Sequence, residues 1–450
     1  MRFFRRKEQQ PPAPAEAVSD LADEEVEEPY ADDDASEDAV PEGEAEDEIG
    51  ADEAWSRRAA AVIAGGASTG SKRREALYGE GADFGPTHFE RASGCMLVTA
   101  GGRELVDCTM ALGSVAIGYG DERVNRSVLA ALAAGTVCGL SSTLEVEVAE
   151  RLCDVVPCAE RVRFLKSGAE AVAAAVRIAR TYTGRTRVVA SGYFGWHDWA
   201  STAKGVPAGA RVDVAHVPFD DVAALDAAAL AASGDLAAIV LEPVVERLPS
   251  PEWLAAARAL CDRAGAVLIF DEIKTGFRVA TGGYQSVSGV TPDLATFGKA
   301  MANGFPLAAV VGRGDVMDAA RETWISSTLA SEAVALAAAS AVLDYHEAEE
   351  VAATLAERGR LMREAVAHAV ERSGAEGVEV LGIDPMWFVR WQDPSRERRF
   401  LELALEQGVL FKRGPYNFAS LAHGEEIVAE VERAASTALV ELLEEEEHAR

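Results

Sequence analysis

Nowhere in the chain do 18 apolar residues run together, so no membrane-spanning helix is expected. The opening MRFFRRKEQQPPAPA carries basic residues with no apolar stretch behind them, and it does not read as a secretory signal. Cysteine is scarce. The six thiols, at positions 95, 108, 138, 153, 158 and 261, form no CxxC pair and have no nearby histidine pattern. That spacing argues against a zinc site and against a disulfide scaffold; the expectation is buried, reduced thiols of a cytoplasmic protein that binds no metal. Lysine and arginine are absent from Glu16 to Glu53, a stretch that holds 19 acidic residues. The first 53 residues carry a net charge of −16 out of −31 for the whole chain. A segment so charged and so poor in apolar groups cannot offset its ordering entropy, and residues 1–54 are expected to form a disordered acidic tail. Excess negative charge also repels phosphates, so no nucleic-acid partner is expected.

What is present is a large apolar fraction, 49% of 450 residues, enough for a sizeable core divided among two or three lobes. One stretch concentrates the chemistry: AVLIFDEIKTGFRVATGGYQSVSGVTPDLATFGKAMANGFPL, Ala266 to Leu307. Asp271 directly follows the apolar run that ends at Phe270, and Lys299 closely follows the run that ends at Phe297. Ligands of open α/β sheets bind at the carboxyl ends of strands, so both side chains are placed to face one small molecule. A desolvated lysine amine attacks aldehydes to form a Schiff base, and a carboxylate pairs with a protonated ring nitrogen. Together they suggest pyridoxal phosphate. A second motif, VRFLKSGAEAVAAAVRIAR, runs a short strand through Ser167-Gly168-Ala169-Glu170 into an alanine-rich helix. Free N–H groups and the helix dipole at such a start make an anion site.

The segments FDEIKTGFR and TFGKAMANGFPLAAVVG resemble those of class III aminotransferases, fold-type I pyridoxal-phosphate enzymes, and especially their glutamate-1-semialdehyde aminomutase branch. The resemblance extends from about Gly65 to about His423. It implies an α/β fold with a large, mainly parallel-sheet domain and a small α+β domain built from N- and C-terminal parts. The corresponding division is an N-terminal segment over 55–109, the cofactor-binding domain over 110–345 and the small domain over 346–450. By the same resemblance, Lys299 forms the internal aldimine and then moves the substrate proton, while Asp271 pairs with the ring nitrogen. Ser167, Gly168 and Ala169 hold the cofactor phosphate, Tyr193 stacks on the ring, and Ile273 packs on the opposite face. Thr328 reaches the phosphate bound by a neighbouring subunit, with Ser327 the alternative, which implies a homodimer with shared active sites. Glu242 borders the substrate pocket or forms a structural ion pair, with Lys274 or an arginine as its partner. Lys72 or Arg73 meets a substrate anion, the register leaving the choice open.

Three positions depart from the family pattern. Ala169 lacks a hydroxyl, Phe194 replaces a histidine, and Lys274 stands where relatives place Gln or an apolar residue. The expected activity is transfer of an amino group from an amino donor to an aldehyde or keto acceptor. Intramolecular 2,1-aminomutase chemistry is the alternative. A catalytically silent dimeric scaffold is the remaining rival, and the presence of both Lys299 and Asp271 counts against it.

Overall fold

The computed structural model describes residues 50–449; the acidic segment expected to be disordered lies outside the described residues up to position 49. Its last expected residues do not continue it, because a helix begins at Ala51 and runs to Val62. Asp52 at the start of that helix accepts bonds from Gly101 N–H at 2.8 Å and from the Thr99 hydroxyl at 3.2 Å.

Next come three short strands, β1 (Phe89–Ser93), β2 (Met96–Thr99) and β3 (Glu104–Asp107), paired antiparallel. The chain turns at Gly101-Gly102 and again at Gly94, whose φ of 58° suits glycine. The central sheet contains β4 (Arg161–Leu165), β5 (Arg187–Ser191), β6 (Val214–His216), β7 (Leu236–Leu241), β8 (Val267–Asp271), β9 (Leu294–Phe297) and β10 (Ala308–Gly312). Their spatial order is β4-β10-β9-β8-β7-β5-β6, parallel throughout except that β10 runs antiparallel to both neighbours. Every residue of β7 and of β8 is buried. Sheets covered on both faces read as continuous apolar runs, which is why LAAIVL and VLIFD show no alternation.

Beyond the central sheet, the helices Ala333–Ala348 and Val351–Ser373 lead to β11 (Val378–Ile383), β12 (Met386–Trp391), β13 (Val409–Leu410) and β14 (Asn417–Phe418), and the helix Glu425–His448 closes the fold. β11, β12 and β14 make a separate antiparallel sheet, whereas β13 pairs parallel with β3 and so joins the N-terminal strands. Of the six cysteines, Cys95, Cys108, Cys158 and Cys261 are buried, Cys153 is half-buried and Cys138 is exposed, so the expectation of buried thiols fails in part at Cys153 and fully in the loop that follows the helix Glu122–Ala134.

Candidate active site

Two strand ends and one helix start open onto a single cavity of about 500 Å³. β8 delivers Asp271, which is only 5% exposed. Its Oδ1 accepts from Ile273 N–H at 3.0 Å and from the Thr296 hydroxyl at 3.1 Å. Burial, reinforced by the negative charge of Glu242, pushes the Asp271 carboxyl up to about 7. A buried carboxylate without a close cation is poorly solvated, and it favours any ligand that brings positive charge.

β9 ends two residues before Lys299. That lysine opens a 3₁₀ turn over Lys299–Ala302 and adopts a left-handed φ of 46°, unusual for any residue other than glycine. Preceding it, Gly298 lies against Ile273: a Cβ there would come within 3.1 Å of the Ile273 side chain. Burial lowers the Lys299 ammonium to about 8, and the charge of Lys274 acts in the same direction.

The third contributor is the helix Gly168–Thr183. Ser167 caps it through Glu170 N–H at 3.3 Å, and Glu170 Oε2 reaches back to the N–H groups of Ser167 at 2.9 Å and Lys166 at 3.1 Å. This reciprocal box fixes the first turn. The amides of Gly168 and Ala169 have no acceptor within the helix, as first-turn amides never do. Backbone rather than side chain forms this wall, since a Cβ on Gly168 would lie 3.2 Å from Ile273 and one on Gly195, at φ +87°, would lie 2.4 Å from the Ala169 Cβ. The residues present therefore suit pyridoxal phosphate: an anion cradle at a helix start, an amine of lowered basicity for an aldehyde, and a buried carboxylate for a ring cation.

Among the positions expected from sequence, Ser167, Gly168, Ala169 and Tyr193 line this cavity, as do Glu242, Asp271, Ile273 and Lys299. Tyr193 is 75% exposed there, and its N–H donates to Glu242 Oε2 at 3.1 Å. Phe194 turns into the core, stacked on Trp199 at 6.0 Å between ring centroids. Thr328 is elsewhere: it lines an exposed groove of about 650 Å³ beside the loop 135–143. Lys72 and Arg73 are exposed and border neighbouring clefts, so neither side chain joins the Lys299 cavity; the member of their loop that does is Thr69.

Sequence reasoning left the partner of Glu242 open. It is Lys274, whose ammonium pairs with Glu242 Oε1 and also donates to the Tyr416 hydroxyl at 3.2 Å. Tyr416 and the fully buried Arg278 were not anticipated. Arg278 donates to the carbonyls of Ala419 at 2.7 Å, Gly113 at 3.1 Å and Val115 at 3.2 Å. It thereby braces the turn Met110–Gly113, in which Met110, Ala111 and Leu112 all have positive φ.

Comparison with known proteins bears on what this arrangement does. The profile of the aminotransferase class-III family matches residues 78–423. A 3-aminobutyryl-CoA aminotransferase from Cloacimonas acidaminovorans is 34% identical over 298 residues, covering 64% of this chain and 72% of the relative. A glutamate-1-semialdehyde 2,1-aminomutase from Rhodopirellula baltica is 33% identical over 422 residues, covering 86% of this chain and 95% of the relative. Among solved structures, the FumI protein of Sphingopyxis sp. MTA144, in its pyridoxal-phosphate internal aldimine form, superposes with a TM-score of 0.83 at 29% identity, over 88% of this chain and 97% of its own. Strand order, cavity and sequence similarity thus lead to one assignment, and the chain belongs to the class III aminotransferases, pyridoxal-phosphate enzymes that act as aminotransferases or aminomutases.

Proposed function

We propose that the protein moves an amino group from a small amino donor to an aldehyde or keto acceptor, with Lys299 and Asp271 as its catalytic residues. The observation that carries this reading is the convergence of a lysine, a carboxylate and a helix start on one cavity. When bound, pyridoxal phosphate supplies the electron sink that makes a carbon–hydrogen bond next to an amine acidic. Lys299 Nζ would hold the cofactor through its aldehyde, and the same amine would move a proton from and to the substrate carbon. Asp271, pinned by Ile273 N–H and the Thr296 hydroxyl, keeps the ring nitrogen protonated. The first turn at Ser167, Gly168 and Ala169 would receive the phosphate, and Ile273 and Tyr193 would hold the two ring faces.

We further place Thr328 at the phosphate of a second copy of the chain, in a homodimer with shared sites. The groove that Thr328 lines supports this, because it exposes apolar side chains: Leu140 is 87% exposed, and Val137 and Leu329 are exposed beside it. We divide the chain into a large domain over 110–345 and a small one from 55–109 together with 346–449, and we assign it to the cytoplasm. Its cysteines are unpaired, and among the described residues no helix is long and apolar enough to cross a membrane.

The intramolecular aminomutase is retained as the second reading, supported by the coverage of the aminomutase relative. Phe194 and the loop that brings Thr69 instead of a cation to the cavity favour transfer between two molecules. Visible absorption of the purified protein, before and after borohydride and beside Lys299→Ala, tests the assignment. A yellow band that borohydride removes, and that the variant lacks, is expected. Its absence even after adding pyridoxal phosphate would refute the role of Lys299. Requirement for a separate acceptor distinguishes transfer from rearrangement.

A further inference from the structure

Lys274 is an ammonium only 9% exposed, three residues after Asp271 and on the wall of the cavity that also holds Lys299. A lysine buried this way ordinarily gives up its proton. Here the surroundings act the other way. Glu242 pairs with it, the Tyr416 hydroxyl lies 3.2 Å from its nitrogen, and the Tyr416 ring centre is 4.5 Å away. The Glu242 carboxylate is itself anchored, its second oxygen taking Tyr193 N–H at 3.1 Å. Gly192 leaves the room this needs, since a Cβ there would lie 2.5 Å from the Glu242 Cβ. Three chain segments, ending β7, following β8 and preceding β14, therefore converge to hold one positive charge in place.

We propose that Lys274 is a positioning residue whose fixed charge favours the unprotonated, nucleophilic form of the Lys299 amine. The inference rests on the reading of Lys299 as the covalent attachment point. Among the groups that face Lys299, the cations Lys274 and, from behind the wall, Arg278 repel a proton on its amine, while Glu242 and Asp271 attract one. Lys166 also lines the cavity, but it is occupied by Glu332 at 2.9 Å. Burial is the larger influence on Lys299 and the charge of Lys274 the next. Pairing Glu242 with Lys274 also blunts the attraction of that carboxylate for the Lys299 proton. The Lys274 charge thus offsets the pull of Glu242 on the Lys299 proton.

The test uses full-length protein dialysed free of cofactor. Pyridoxal phosphate and cyanoborohydride are added across pH 6 to 10. The Lys299 amine and the aldehyde join with loss of water, hydride from the reagent reduces the new C=N bond, and the stable secondary amine is quantified by peptide mass spectrometry, with Lys299→Ala as the blank. In the unsubstituted protein the initial rate is expected to titrate near the Lys299 value of about 8. Lys274→Met should move the midpoint upward by about one pH unit, because the cation that offsets Glu242 is lost. Lys274→Gln, which keeps a polar group in the same space, should move it similarly, and Lys274→Arg, which keeps the charge, should restore it. Normal trapping with an unmoved midpoint in both neutral variants would overturn this proposal alone. Failure to trap anything at Lys299 in the unsubstituted protein would overturn the underlying reading as well.

Discussion

Asp271→Asn isolates a single buried charge, because an asparagine oxygen can keep both bonds that Asp271 Oδ1 now accepts, from Ile273 N–H and the Thr296 hydroxyl. In the cofactor-free protein the Asp271 carboxyl is raised from 3.8 to about 7, chiefly by burial. The folded chain therefore holds this proton more tightly than the unfolded chain does. Between about pH 4 and about pH 7 the folded state carries the extra proton, so stability falls as pH rises. At about 1.4 kcal/mol per pH unit, the whole interval removes about 4 kcal/mol. Above pH 7 the loss is complete, and below pH 4 it is absent. Urea unfolding of cofactor-free wild type and Asp271→Asn across this range should give curves that diverge by about that amount, with the wild type losing more. A positive ring nitrogen cancels the effect, so the divergence should shrink in protein loaded with pyridoxal phosphate. Parallel curves in the cofactor-free protein would refute the argument, for Asp271 would then be either well solvated or already paired.

Three further outcomes follow from the cavity and the groove. Gly195→Ala forces a Cβ against Ala169 at a left-handed backbone position, and equilibrium dialysis should show cofactor affinity at least about 10-fold weaker with the overall fold retained. Ala169→Ser adds a hydroxyl to the first helical turn, which should tighten cofactor binding by about 0.5–1.5 kcal/mol in the same assay. Leu140→Glu puts charge on the exposed groove beside Thr328, and sedimentation should show a shift from dimer to monomer with loss of activity in parallel.

Asp271 and Lys299 were legible from sequence because each closely follows a short, mostly apolar run, a pattern that buried parallel strands impose. The helix start was legible for a local reason: Ser167 and Glu170 sit at capping-box spacing. What stayed hidden depends on contacts between distant parts of the chain. Lys274 was noticeable as an odd residue, but Tyr416 comes from 142 positions later and no local signal joins the two. The loop at 68–73 was read for its cations, yet its geometry turns Thr69 to the cavity and leaves Lys72 and Arg73 in water. Positive φ at Met110, Ala111 and Leu112 runs against the preference of those residues, and the carbonyl at the end of that turn, Gly113, is held by Arg278 from 165 positions away. Sequence reports such strain only after the brace is known.

The parallel pairing of β13 with β3 bears on how the molecule is made. Val409 aligns with Val106, and Val106 N–H donates to Gly408 O at 2.9 Å while Cys108 N–H donates to Leu410 O at 3.1 Å. A ribosome finishes β3 early and must then synthesise the whole central sheet before β13 emerges. At typical elongation rates that interval is on the order of tens of seconds. Throughout it the nascent chain presents an open strand edge, the kind of surface that recruits stray strands from other molecules. β13 therefore serves as a seal for β3, and a chain released short of Gly408 would leave the ribosome with that edge uncovered.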